Sequence, residues 1–102
     1  ENGIGAIDEL VDGKIHDSYR IEYLRNHIKA IREAIDDGVE VIGYTCWGCI
    51  DLVSASSGEM KKRYGLIYVN RQDDDSGDYR RIKKDSFYWY QKVIESNGEI
   101  LD

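Results

Sequence analysis

Proline is absent from the 102 residues, which excludes any motif that requires it, and cysteine occurs only twice. Two cysteines cannot form the dense disulfide framework of a small secreted domain, and they agree with a reducing compartment. No run of about eighteen apolar residues exists that could span a membrane. The first residues also lack the basic-then-apolar order of a secretion signal. These absences predict a soluble protein of the cytoplasm without a membrane partner.

Basic residues are outnumbered, with 14 Lys and Arg against 20 Asp and Glu, which makes the net charge −6. A nucleic-acid-binding domain needs a basic face to neutralise phosphates, so no nucleic-acid partner is expected. Apolar residues make up 41% of the chain and charged residues 33%, a composition typical of one globular domain. Because the chain starts without methionine, we expect it to be a segment of a longer protein.

Apolar residues at spacings of three and four predict one amphipathic helix, with Asp17 or Ser18 as N-cap and Gly38 as its end. A short run rich in β-branched residues, Val39–Thr45, follows directly. This order is typical of a buried parallel strand entered from a helix through a tight loop. The apolar positions of the helix are Ile21, Leu24, Ile28, Ile31 and Ile35.

The second half of the chain predicts a hairpin and another helix. Two strand-like runs, Gly65–Asn70 and Tyr79–Ile82, flank an acidic turn, which indicates a peripheral surface hairpin. The last helix is predicted over Ser86–Asn97, with Asp85 as its cap and Gly98 as its end. Helix and strand therefore alternate, and the predicted fold class is α/β.

The spacing of Cys46 and Cys49, directly after the predicted strand, is that of a thioredoxin-like thiol–disulfide protein. Such a protein needs a helix to begin at the cysteines, and residues 50–58 lack a helical period. Thioredoxin-like folds also place a proline beside the disulfide, and this chain has none. We interpret both cysteines as small structural residues, and keep the redox protein as an alternative.

Several segments carry the most distinctive motifs: ENG at residues 1–3, DGKIHDSYRIEYLRNHIKAIREAIDDGVEVIGYTCWG at 12–48, KKRYGLIYVN at 61–70 and KKDSFYWY at 83–90. Together they resemble the last quarter of a family 1 glycoside hydrolase, in particular its 6-phospho-β-glucosidase branch. Members of that family are (β/α)8 TIM barrels. The resemblance implies that residues 1–102 form a single segment: the tip of strand seven, helix seven, strand eight, a phosphate loop, the hairpin and helix eight.

The resemblance assigns Glu1 as the catalytic nucleophile, because the family's Glu-Asn-Gly glutamate attacks the anomeric carbon in retaining hydrolysis. The acid/base of the family lies in an Asn-Glu-Pro motif. Since this chain has no proline, it cannot contain that motif. The resemblance implies no metal or organic cofactor.

Trp47 matches the family's tryptophan that follows strand eight and packs against the sugar. The alternative interpretation is an aromatic residue of the barrel core. Ordinary members continue as W-S-x-x-D-N-x-E-W, where the glutamate binds sugar hydroxyls. This sequence reads WGCIDLVSA, so Ser54 replaces that glutamate and Ala55 the second tryptophan. A carboxylate would repel a phosphorylated C6, whereas a serine hydroxyl can donate a hydrogen bond to it. Phospho-galactosidases of the family keep a tryptophan at this position, so the resemblance implies that the small Ala55 favours a gluco over a galacto configuration.

Lys62 and Tyr64 complete the implied pocket for the 6-phosphate by supplying a positive charge and a second hydroxyl. The neighbouring Lys61 and Ser56 stay open as alternatives for these roles, because an error in the loop register would exchange their parts. The alternative interpretation of Lys61, Lys62 and Arg63 is a solvated basic turn. The replacement of the family's glutamate by Ser54 disfavours it.

The implied parent enzyme hydrolyses phosphorylated β-glucosides in the cytoplasm and releases glucose 6-phosphate. Without its acid/base, the isolated chain is expected to be inactive. The faces of its first helix and first strand would lie against a barrel that is incomplete here, so self-association is also expected. A non-catalytic, self-associating fragment therefore stands as a second alternative.

Overall fold

A computed structural model describes residues 1–102. It contains helix α1 (Ser18–Asp36), strand β1 (Ile67–Val69), strand β2 (Arg81–Lys83) and helix α2 (Asp85–Glu95). The radius of gyration is 14.8 Å, against roughly 13 Å for a compact domain of this length, and the principal extents are 48 × 29 × 17 Å. Only 18 of the 102 residues are buried. The chain therefore forms a thin layer that leaves much apolar surface open.

Helix α1 confirms the predicted amphipathic helix and its end. Gly38 adopts φ +94°, a conformation that glycine tolerates best, and its N–H donates to the carbonyl of Ile35. Leu24 is buried, and Ile28 packs against the apolar cluster, whereas Ile35 is half exposed. The predicted stripe is thus covered only along the part of α1 that meets other elements. No helix combines the length and apolar character needed to span a bilayer.

The apolar core forms where α1 and α2 meet the start of the hairpin and the C-terminal residues. Trp89 belongs to this core, and its indole N–H donates to the carbonyl of Leu101 over 3.2 Å. The Arg25 guanidinium donates to the same carbonyl and lies over the Trp89 ring. The fully packed members are Leu24, Leu66, Trp89, Val93 and Leu101.

The predicted hairpin is confirmed as an antiparallel pair in which Tyr68 faces Ile82. The prediction that the hairpin is peripheral was wrong, because Tyr68 and Val69 in β1 are each only 4% exposed. The reason is that β1 runs beneath the preceding loop, where Ile50 forms a parallel bridge with Ile67. The hairpin is thus part of the framework that holds the loop before it.

The predicted strand Val39–Thr45 was wrong for this chain. A strand requires a neighbour for its backbone groups, and this segment has one only at its end, where Asn2 and Cys46 form a parallel bridge. Its apolar side chains are correspondingly uncovered: Val39 is 54% exposed and Ile42 is 99% exposed.

The start of α2 also differs from the prediction. The predicted cap, Asp85, is the first helical residue, and Lys84 occupies the N-cap position. The carboxylate that receives the helix N-terminus comes from elsewhere in the chain, because Asp17 accepts hydrogen bonds from the Ser86 N–H and hydroxyl. At the other end, Gly98 is left-handed at φ +79° and donates to the Val93 carbonyl, as predicted for a helix end.

Candidate active site

One open pocket brings together residues from three separate parts of the chain. Three of the five predicted site residues line it, namely Glu1, Trp47 and Tyr64. Ser54 and Lys62 do not line the pocket, but both lie within hydrogen-bond distance of Ser56, which does. The complete lining is Glu1, Asn2, Gly3, Trp47, Ala55, Ser56 and Tyr64.

Backbone pairing sets the position of Glu1 relative to Trp47. The Asn2 N–H donates to the Thr45 carbonyl over 3.1 Å, and the Trp47 N–H donates to the Asn2 carbonyl over 2.8 Å. The Tyr44 hydroxyl donates to the Asn2 side-chain oxygen over 2.5 Å. Burial raises the pKa of Tyr44, which keeps this hydroxyl protonated and able to donate. Asn2 and Tyr44 were not predicted, although Asn2 directly follows the predicted nucleophile.

A chain of hydroxyls lies at the side of the pocket. Ser54 is only 1% exposed, and its Oγ lies 3.2 Å from Ser56 Oγ and 3.4 Å from the Tyr64 hydroxyl. The backbone N–H of Ser57 also donates to Ser54 Oγ. The hydroxyl that reaches the pocket surface is therefore Ser56, and Ser54 links Ser56 with Tyr64 from below.

The Lys62 side chain joins this group, whereas Lys61 does not. Lys62 Nζ lies 3.4 Å from Ser56 Oγ and 5.6 Å from the centre of the Tyr64 ring. Lys61 instead forms an ion pair with Glu59 over 3.1 Å. The pKa of the Tyr64 phenol is lowered, chiefly by hydrogen bonding to Ser54 and to a smaller extent by hydrogen bonding to Lys62.

The pocket can accept an anion at one side and a sugar ring at the other. The hydroxyls of Ser54, Ser56 and Tyr64 lie together with the Lys62 ammonium. Glu1 is the only carboxylate among the lining residues. Hydroxyls and a lysine are the donors that a phosphate dianion requires. Trp47, which is 42% exposed, offers an indole face beside Glu1.

A second group of polar residues, completely buried, holds the segments that carry the pocket. Lys84 Nζ donates to Asp8 over 2.6 Å, to Asp51 over 2.8 Å and to the Gly65 carbonyl over 2.7 Å. Arg20 pairs with Asp8 and Asp17, and Arg63 Nε lies 3.2 Å from Asp51. We name this group the buried charge network; its members are Asp8, Asp17, Arg20, Asp51, Arg63 and Lys84. The sequence pattern did not predict it, since Asp17 was predicted only as a candidate N-cap and the other members read locally as surface charges.

The two cysteines form no disulfide. Burial raises the pKa of the Cys46 thiol, although hydrogen bonding with Tyr90 partly opposes this shift. A redox-active thiol needs the opposite shift, because the thiolate is the reactive form. The structure therefore gives the thioredoxin-like alternative no support at Cys46.

Comparison with known proteins identifies the family. The model of Glycosyl hydrolase family 1 matches residues 1–99. An aryl-phospho-β-D-glucosidase of Bacillus subtilis, BglH, is 64% identical over 102 residues, which are 99% of this chain and 22% of that protein. The 6-phospho-β-glucosidase AscB of Escherichia coli is 60% identical over all of this chain and 22% of its own length. The chain thus belongs to glycosyl hydrolase family 1 and spans about a fifth of these relatives.

Solved structures agree with this assignment. A β-glucosidase from Thermotoga maritima in complex with noeuromycin is 38% identical, with a TM-score of 0.83, and the match covers 97% of this chain and 22% of that one. The same enzyme in complex with glucoimidazole has a TM-score of 0.82 at 39% identity. The resemblance inferred from the sequence is therefore confirmed at the level of the family, and the small mixed α/β layer corresponds to part of a larger fold.

Proposed function

We propose that this chain is the C-terminal part of a retaining 6-phospho-β-glucosidase, contributing the nucleophile Glu1 and the phosphate pocket to a TIM barrel. The observation that carries the proposal is the group of hydroxyls and one ammonium, at Ser54, Ser56, Tyr64 and Lys62, beside the pocket that holds Glu1. The names of its relatives, which include phospho-β-glucosidases from several bacteria, support the same substrate class.

In the proposed reaction, the Glu1 carboxylate attacks the anomeric carbon and forms a glycosyl-enzyme intermediate, which water then hydrolyses. The proton for the departing group comes from a carboxylic acid outside this chain. Trp47 packs against the sugar ring, and the 6-phosphate lies toward Lys62 and Tyr64. The product is glucose 6-phosphate. We place the reaction in the cytoplasm, to which a phosphorylating uptake system delivers such substrates.

Position 54 offers the sharpest test of the phosphate assignment in the complete enzyme that contains this segment, called the parent enzyme below. Ser54→Glu places a carboxylate against the phosphate, so kcat/KM for a phosphorylated β-glucoside should fall steeply. The value for the unphosphorylated glucoside should stay constant or rise. Measuring kcat/KM for both forms of gluco and galacto substrates also tests whether Ala55 favours the gluco configuration. An equal loss on all four substrates would overturn the phosphate assignment.

The isolated chain should self-associate through surfaces that the parent barrel covers. Large apolar side chains are exposed along the segment that follows α1, as at Val39 and Ile42. Its backbone groups also lack strand partners, and an unpaired edge of this kind readily pairs with another chain. Light scattering should therefore detect assemblies. A monodisperse monomer that unfolds cooperatively would contradict this expectation and the fragment interpretation together.

A further inference from the structure

Gly5 lies against the two side chains proposed to hold the phosphate. A Cβ atom at this position would be 2.7 Å from Cζ of Tyr64 and 2.9 Å from both Cγ and Cε of Lys62. Nonbonded carbon atoms in contact normally lie about 3.5–4.0 Å apart. Only a residue without a side chain therefore leaves Lys62 and Tyr64 in their observed positions.

The requirement at Gly5 is for space and not for an unusual backbone. Gly5 is not among the glycines of this chain that have positive φ, unlike Gly13 or Gly58. Those two glycines, in turn, have nothing within 4 Å of an added Cβ. Alanine at position 5 is consequently compatible with the backbone, and its effect would act through the neighbouring side chains.

The backbone beside Gly5 cannot move away to relieve such a contact. The next residue, Ala6, exchanges two hydrogen bonds with Arg63, of 2.9 Å and 2.8 Å between backbone N and O atoms. Arg63 is only 3% exposed, and its carbonyl also accepts a hydrogen bond from Arg20. Because both backbones are held, an added methyl group would displace the side chains of Lys62 and Tyr64.

We infer that Gly5 is a specificity-determining, positioning residue for the phosphate subsite, because its missing side chain creates the space that lets Lys62 and Tyr64 reach a 6-phosphate. The inference rests on the proposed function. It also connects two parts of the site, since Gly5 belongs to the same short segment as Glu1.

The test is Gly5→Ala in the parent enzyme, assayed with a nitrophenyl β-glucoside 6-phosphate and with its unphosphorylated form. KM for the phosphorylated substrate should rise roughly tenfold or more, the effect of losing one charge-assisted hydrogen bond. The kcat for that substrate, and both constants for the unphosphorylated one, should change little. Thermal unfolding should stay close to that of the wild type, because flexible side chains absorb the added methyl group.

Gly3→Ala is the matched comparison, with the same substitution two residues earlier. A Cβ at Gly3 would lie 3.1 Å from Cβ of Trp47, which is proposed to pack against the sugar and not the phosphate. This variant should therefore affect both substrates to a similar degree. Combining Gly5→Ala with Lys62→Ala should give less than the product of the two separate effects, because both act on the same ammonium group.

Three results would overturn the inference while leaving the proposed function intact: an equal effect of Gly5→Ala on both substrates, full multiplicativity with Lys62→Ala, or an unfolded Gly5→Ala protein. These results count against Gly5 alone when the single variant Lys62→Ala impairs the phosphorylated substrate and leaves the unphosphorylated one unaffected. If Lys62→Ala fails to distinguish the two substrates, the proposed phosphate pocket is wrong, and the role of Gly5 falls with it.

Discussion

Lys62 and Arg63 are adjacent basic residues with different surroundings. Arg63 points inward, pairs with Asp51 and donates to the carbonyls of Val69 and Arg71. The Lys62 ammonium lies beside the Ser56 hydroxyl at the edge of the pocket and over the Tyr64 ring, and it has no carboxylate partner. A cation with several internal acceptors is part of the framework, whereas one with donors to spare can bind an external anion. The number of partners, rather than the type of residue, separates structure from recognition here.

The same contrast holds for the two charge clusters as a whole. The buried charge network contains three carboxylates and three cations, so it is neutral and needs no ligand. The cluster at the pocket consists of Lys62 and the hydroxyls of Ser54, Ser56 and Tyr64, and none of these groups forms an ion pair with a carboxylate. Its charge is therefore available to a substrate.

The largest expected effect is the loss of activity in the isolated chain, which contains the pocket but not the acid/base motif. The isolated 102-residue chain should show no hydrolysis of a nitrophenyl β-glucoside 6-phosphate above the buffer rate. General acid/base assistance alone is worth a factor of about 10² to 10⁴, and the chain lacks the motif that supplies it. Turnover that disappears in Glu1→Gln would contradict this prediction, because it would show that the segment is catalytic alone.

Breaking the buried charge network should be the most destabilising single change. Lys84→Met leaves the carboxylates of Asp8 and Asp51 buried without their shared partner, which typically costs about 3–5 kcal/mol of the free energy of unfolding. Urea unfolding of the parent enzyme, followed by tryptophan fluorescence, measures the loss. The adjacent Lys83 is exposed and lies over the Phe87 ring, so Lys83→Met should cost at most about 1 kcal/mol. Equal losses in both variants would contradict the distinction.

Removing the pocket cation should instead alter recognition without altering stability. Lys62→Ala should raise KM for the phosphorylated substrate by roughly 10- to 100-fold, the equivalent of a charge-assisted hydrogen bond of about 1.5–3 kcal/mol. Unphosphorylated glucosides should hardly respond. Lys61→Ala is the control, because Lys61 pairs with Glu59 outside the cluster. A stronger effect of Lys61→Ala would show that the loop register is shifted by one residue.

The smallest expected effect concerns pH. Because Ser54 and Lys62 lower the pKa of Tyr64, its phenol should ionise below the ordinary value of about 10. Neutral phenol donates a hydrogen bond to phosphate, whereas phenolate repels it, so KM for the phosphorylated substrate should rise as pH increases through that lowered pKa. The profile of KM against pH tests this. Tyr64→Phe should abolish the rise, and a rise that persists would assign it to another group.

Patterns that depend on neighbouring residues were predictable from the sequence. Helix α1 and its end at Gly38 follow from the spacing of apolar residues and from a glycine that tolerates left-handed backbone. The hairpin and α2 were also predicted, the latter with its start shifted by one residue. The family resemblance rests on short motifs, and those motifs alone assign roles to Glu1, Trp47, Ser54, Lys62 and Tyr64.

Only the tertiary structure decided which charges are buried and which residues share a pocket. Asp17, predicted with Ser18 as a candidate N-cap of α1, does occupy that position, but its side chain makes no capping hydrogen bond there and instead accepts hydrogen bonds from Ser86 at the start of α2, 69 residues away. Val39–Thr45 has the composition of a strand, but it has almost no backbone partners within this chain. In both cases the outcome depends on groups distant in sequence. Local patterns determine what a segment can form, and long-range hydrogen-bond partners decide what it does form.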